Sequence, residues 1–130
     1  MGERARPLDG TALDLGRLGE RAALSTYAAR GFHAVATNWR CALGEIDVIV
    51  SRGSLLVFCE VKTRRGRGMG GPFEAVTAAK QRRLRALAVA FLASPQARAG
   101  WPPADVRFDV ASVMLDARGR PQVHLFEDAF

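Results

Sequence analysis

GEIDVIVSRGSLLVFCEVKTR, residues 44–64, holds two apolar runs on either side of Gly53-Ser54. Runs rich in Val, Ile and Phe around a Gly-first, two-residue step read as a β-hairpin with a type II′ turn. That turn places Ile49 opposite Phe58, Asp47 opposite Glu60 and Glu45 opposite Lys62. One face then collects Ile46, Val48, Val50, Val57, Cys59 and Val61. The other has an apolar end, Ile49 and Phe58, and a charged end, Glu45, Asp47, Glu60 and Lys62. A slip of one residue would send Glu60 to the opposite face from Asp47 and mix charge into the core, so the pattern selects the unslipped register.

Opposed side chains on paired strands lie about 4.5–5.5 Å apart at Cβ. Two carboxylates so placed repel, and the repulsion has three possible remedies: protonation of one acid, a neighbouring cation, or a bound metal ion. Oxygen-only ligands suit Mg2+ or Mn2+. Lys62 projects on the same face as Glu60, roughly 6–7 Å along the strand, near enough to reach the same bound group. Two carboxylates, a divalent ion and a lysine make a site suited to phosphodiester hydrolysis. A plain surface ladder, with Lys62 neutralising Glu60 and Glu45, is the competing reading of the same residues.

The rest of the chain fits around this hairpin. Residues 14–30, DLGRLGERAALSTYAAR, have Leu15, Leu18, Ala22 and Ala29 at helical spacing, with Gly31 as the residue that ends the helix. Gly16 and Gly19 weaken that helix unless they permit close approach to another element. FHAVATNW, residues 32–39, reads as a strand. RRGRGMGGP, residues 64–72, reads as a flexible basic loop. A second helix starts after Thr77 as N-cap, with Leu84, Leu87, Ala88, Phe91 and Leu92 on one face. Residues 106–115 and 122–128 read as two further strands, separated from that helix by a Pro-containing connection. The order is helix, three strands, helix, two strands. It predicts an α/β domain, a mixed central sheet flanked by helices, over 14–130 behind a flexible tail at 1–13.

At 130 residues, the chain can build one sizeable core. It has no apolar run of the ~20 residues a membrane helix needs, and its first residues lack a secretory signal's apolar stretch. Cys41 and Cys59 lack metal-type spacing, and Cys59 reads as a small core residue, which suits a reducing cytoplasm. The net charge is +6, and eight of the 19 Lys and Arg fall between residues 62 and 85 against a single acid, Glu74. Such a local cationic face suggests a polyanionic partner, above all nucleic acid. Arg64, Arg65, Arg67, Lys80, Gln81, Arg82 and Arg83 are its candidate contacts.

Asp47 with Glu60-Val61-Lys62 resembles the PD-(D/E)XK nuclease superfamily, in which one strand carries an acid and the next carries Glu/Asp-x-Lys. More closely, GRLGERAA (16–23), NWRCALGEIDVIV (38–50), LVFCEVKTR (56–64), EAVTAAKQRRL (74–84), RFDVASV (107–113) and HLFEDAF resemble the YraN-like family of small bacterial proteins. The resemblance covers about residues 15–130. It implies a restriction-endonuclease-like fold. It also implies that Asp47, Glu60 and the Val61 carbonyl are ligands of Mg2+ or Mn2+, and that Lys62 is the catalytic lysine. Glu20 matches a glutamate that such nucleases place beside the metal. Lys80 and Gln81 match a polar position facing the active site. Asp109, near Arg107, reads as a structural ion pair. Ile46 replaces the proline that precedes the acid in the strict motif. The implied function is a metal-dependent nuclease acting on DNA, on branched or single-stranded ends, in repair or recombination. A non-catalytic nucleic-acid-binding module in a DNA-processing assembly is the alternative. A second copy or a protein partner stays open, since so short a nuclease has few elements left for specificity.

Overall fold

The computed structural model describes residues 12–66, 76–98, 103 and 105–130. The elements run α1 (Ala12–Ala29), β1 (His33–Cys41), β2 (Gly44–Arg52), β3 (Leu55–Arg65), α2 (Ala78–Leu92), the one-turn α3 (Pro95–Arg98), β4 (Asp105–Leu115) and β5 (Pro121–Phe126). The strands form one five-stranded sheet in the order β1-β2-β3-β4-β5. All neighbours are antiparallel except β3 and β4, which pair in parallel from Leu55↔Asp105 to Arg65↔Leu115. A parallel pair needs a crossover connection, and the segment bearing α2 and α3 supplies it. The fold is therefore the expected α/β mixed sheet flanked by helices, consistent with a restriction-endonuclease-like fold.

The hairpin register is as expected along its apolar part: Arg52 pairs with Leu55, Ile49 with Phe58 and Val48 with Cys59. Gly53 at φ 58 provides the positive φ that a two-residue hairpin turn requires. Alternation sends Ile49, Leu56 and Phe58 to the α2 side, where they pack with Leu84, Leu87, Ala88 and Phe91. Val48, Val50, Val57 and Cys59 go to the α1 side, with Ala23, Tyr27 and Phe32. Burial pushes the Cys59 thiol up, in keeping with its part as a core residue.

Several expectations need correcting. Strict alternation would put Ile46 with Val48, yet Ile46 joins Ile49 in the cluster under α2. The strand thus reverses its faces between Ile46 and Val48, at Asp47. In the neighbouring strand, Asn38 lies between the Thr37↔Val48 and Trp39↔Ile46 pairs, and its φ is 51. A left-handed residue turns the chain after it, and asparagine tolerates that conformation better than most residues. The turn brings Trp39 and Ile46 together under α2, where the Trp39 ring meets Phe91 edge-on at 5.3 Å. The paired ladder of β2 and β3 stops at Val48↔Cys59, before Asp47 and Glu60. Arg64 and Arg65 belong to the end of β3 and not to a loop, because both pair with β4. α1 begins at Ala12 rather than Asp14; residues 1–11 of the expected tail lie outside the described residues, as do 67–72 of the expected loop.

The helix ends are as read. Thr77 Oγ1 accepts the Lys80 N–H at 3.1 Å. At the end of α1, Phe32 N–H bonds the Tyr27 carbonyl and Gly31 N–H the Ala28 carbonyl, the two bonds of a Schellman motif. Of the two helix glycines, only Gly19 marks a close approach. A Cβ there would stand 1.8 Å from Thr63 Oγ1 and 2.9 Å from its Cβ, whereas one at Gly16 would meet nothing within 4 Å. Gly19→Ala must therefore push α1 off β3. Thermal unfolding should show a loss of about 1–3 kcal/mol from overpacking, reduced by the roughly 1 kcal/mol that alanine gains in a helix. Gly16→Ala should stabilise.

Candidate functional site

The reversal at Asp47 sets the site. Past Val48, the Asp47 carboxylate takes the place of a backbone partner: Val61 N–H donates to Asp47 Oδ2 at 2.8 Å. The two strands are thus joined through a side chain where their ladder ends. Glu20, from α1, and Glu45, from the start of β2, close on the same point. Carboxylate oxygens of Glu20, Glu45 and Asp47 lie within 4.8 Å of one another, and all three residues are half-buried.

This crowding shows in the electrostatics. Asp47 is pushed up to about 7, first by burial and then by the charge of Glu60, with smaller contributions from Glu20 and Glu45. The Val61 hydrogen bond opposes the rise because it favours the ionised form. Glu20 is also raised, chiefly by burial, and held back by the hydrogen bond from Asn38 Nδ2 to its Oε1 at 2.9 Å. Glu45 has Arg40 Nε at 2.5 Å on its outer side.

Glu60 lies on the α2 side with Phe58 and reaches Lys80 instead: Nζ and Oε1 are 2.7 Å apart, with the Glu60 side chain only 12% exposed. Lys62, half-buried, is the next residue on that face of β3. Asp47, Glu60, Val61, Glu20 and Lys80 therefore converge where β2 and β3 part, between α1 and the N-terminus of α2, with Lys62 next to Glu60 along its face of β3. Gln81 turns back to donate to the Val76 carbonyl at 3.3 Å. Arg82 and Arg83 are exposed on α2, and Arg65 is exposed at the end of β3. Arg67 lies outside the described residues.

Two members of the site differ from the sequence reading. Glu45 does not oppose Lys62; the reversal at Asp47 carries it to the acid group on the α1 side. Asn38 was not read as part of any site. Its only local signal is an asparagine inside the strand-like run ATNW, a residue type that accepts positive φ.

The profile described as "Uncharacterised protein family UPF0102" matches residues 19–113. The chain belongs to the UPF0102 family. It is 49% identical over 116 residues to a UPF0102 protein of Symbiobacterium thermophilum, covering 89% of this chain and 95% of that protein. It is 46% identical to one of Rhodococcus jostii, over 91% of this chain and 97% of the relative. A UPF0102 protein of Streptomyces coelicolor is 44% identical, over 84% and 82% of the two chains. The matched UPF0102 region spans every acid of the site, from Glu20 to Glu60, together with Lys62 and Lys80. The YraN-like resemblance is thus to this UPF0102 family, and the PD-(D/E)XK placement is consistent with the sheet and with the Asp47 and Glu60-Val61-Lys62 geometry. Among the described residues of this UPF0102 chain, no helix is long and apolar enough to cross a membrane.

Proposed function

We propose that this chain is a Mg2+- or Mn2+-dependent nuclease that hydrolyses phosphodiester bonds of DNA. The observation that carries the reading is the gathering of Glu20, Glu45 and Asp47, half-buried acids whose carboxylate oxygens lie within 4.8 Å of one another, with burial and the charge of Glu60 pushing the Asp47 carboxyl up to about 7. The fold gathers these acids from α1, β2 and β3, although their repulsion opposes folding. The donor set fits a hard divalent cation, since every candidate ligand is an oxygen: Asp47, Glu60, Glu20 and the Val61 carbonyl, with Glu45 beside them. Such an ion would polarise a phosphate oxygen and lower the pKa of an attacking water. The half-buried Lys62 presents an ammonium on the Glu60 face, where it can orient that water or stabilise the negative charge that develops on the phosphate. Arg82, Arg83 and Arg65 give the flanks a positive field that draws in a nucleic-acid backbone. A plain surface charge ladder explains less: Glu60 has its lysine, but that lysine is Lys80, and the other acids still cluster.

The test is cleavage of single-stranded, duplex, flapped and four-way-junction DNA, and of RNA, with Mn2+ or Mg2+. Lys62→Ala should lower the rate roughly a hundredfold or more while the protein stays folded, and Glu60→Ala should abolish it. Salt-sensitive DNA binding without cleavage by any preparation would replace the enzyme with a nucleic-acid-binding module. Absence of both would end the nucleic-acid reading.

A further inference from the structure

Lys80 occupies an unusual place for a lysine. It stands in the first turn of α2, where its own N–H is taken by the Thr77 cap and where the first turn contains no acid. The positive end of the helix dipole disfavours a cation there. What holds its ammonium is Glu60, at 2.7 Å, in a pair that is 32% and 12% exposed on its two sides. Glu60 therefore faces Lys80, while Glu20, Glu45 and Asp47 face one another.

We propose that Lys80 is a metal-displaced latch: it holds Glu60 until a divalent cation takes that carboxylate, and the released ammonium then binds a phosphate oxygen of the DNA. The inference rests on the nuclease reading above and adds an order of events to it. Lys80 Nζ holds Glu60 Oε1, and a divalent cation on that same oxygen repels the ammonium, so a cation that takes Oε1 displaces the lysine. Once free, Lys80 lies at a helix N-terminus, where backbone N–H groups and the dipole both favour an anion. Cation loading and substrate grip are thereby coupled through one side chain, and the grip is weak until the ion is present. An internal competitor lowers apparent affinity by the fraction of time it occupies the site.

The experiment is calorimetric titration of the full chain with Mn2+, for wild type, Lys80→Met and Lys80→Gln, each checked for an unchanged fold by circular dichroism. Lys80→Met should bind Mn2+ roughly tenfold more tightly than wild type, as expected if the latched state is about nine-tenths populated. Lys80→Gln, which still donates to Glu60 without charge, should fall between. Loss of a nearby positive charge alone would raise the affinity of Lys80→Met and Lys80→Gln equally, so equal values for the two variants would overturn the latch. The DNA side is read by anisotropy of a labelled duplex with Ca2+ in place of Mn2+. There Lys80→Met should bind several-fold more weakly. Wild-type Mn2+ affinity in Lys80→Met would overturn the latch and leave the nuclease reading standing. Tighter Mn2+ binding with unchanged DNA affinity would overturn the transfer to phosphate. No Mn2+ binding by any of the three proteins would overturn the latch and the metal-dependent reading together.

Discussion

Asp47→Asn should make the protein more stable at pH 8 and, in the same molecule, remove the proposed divalent-cation binding. The wild-type carboxyl sits at about 7, against an ordinary value of 3.8. The folded state therefore keeps a proton that the unfolded chain releases between roughly pH 4 and 7. The stability tied to that proton is fully present below about pH 4 and is lost as pH rises through 7. Asparagine copies the protonated form, and its amide oxygen can still accept the Val61 N–H that Asp47 Oδ2 accepts. A shift of this size would be worth about 4 kcal/mol in full. Water screens the half-buried group, so about 2 kcal/mol of stabilisation is the expected gain at pH 8, with almost none at pH 4. Urea unfolding in chelator at the two pH values measures it, and calorimetry with Mn2+ measures the lost site. An Asp47→Asn protein less stable than wild type at pH 8 would show that the surrounding glutamates do not frustrate Asp47. The trade matches the general cost of function at a strained site.

The second large effect lies at the other end of α1. Asp109 is fully buried in β4 and accepts from Tyr27 Oη at 2.6 Å, from Arg107 Nε and Nη2 at 2.9 Å each, and from Asp128 N–H at 2.9 Å. Arg107 also pairs with Glu127, which in turn holds Arg30. One carboxylate therefore ties α1, β4 and the chain end after β5. Burial keeps the Tyr27 phenol protonated far above its usual range, so the hydroxyl is a constant donor. Asp109→Ala leaves the Arg107 charge and the Tyr27 hydroxyl without this acceptor. It should cost about 3–5 kcal/mol, as removing one partner of a buried pair does. Tyr27→Phe removes a single hydrogen bond and should cost about 1–2 kcal/mol. Thermal unfolding of both variants decides the matter; an Asp109→Ala protein within about 1 kcal/mol of wild type would mean that apolar packing alone fixes α1. Because α1 also carries Glu20, a loosened helix should weaken Mn2+ binding as well.

How far the site was legible follows from how local each signal is. Glu60 and Lys62 are two residues apart, so strand alternation alone puts them on one face. Asp47 is close in sequence across a short turn, and turn chemistry sets the register of the ladder that ends next to it, at Val48. The Arg107–Asp109 pair is likewise two residues apart on one strand. Glu20, Glu45 and Lys80 are different. Nothing in their own segments says that Glu20 meets Asp47, or that Lys80 rather than Lys62 takes Glu60.

The sequence by itself determined every element but the one-turn α3, their order, the hairpin register from Val48↔Cys59 to the turn, the Thr77 cap and the Gly31 helix end. Each of these rests on a period of two or 3.6 residues, or on the chemistry of one turn. Tertiary structure decided the rest. The left-handed Asn38 reverses the strand faces, and Trp39 and Ile46 are thereby buried under α2. That reversal sends Glu45 away from Lys62 and toward Glu20 and Asp47. Alternation is a rule about neighbours along one strand. Which way a strand turns at its break is settled by what the turned residues can bury, and only the folded core contains that answer.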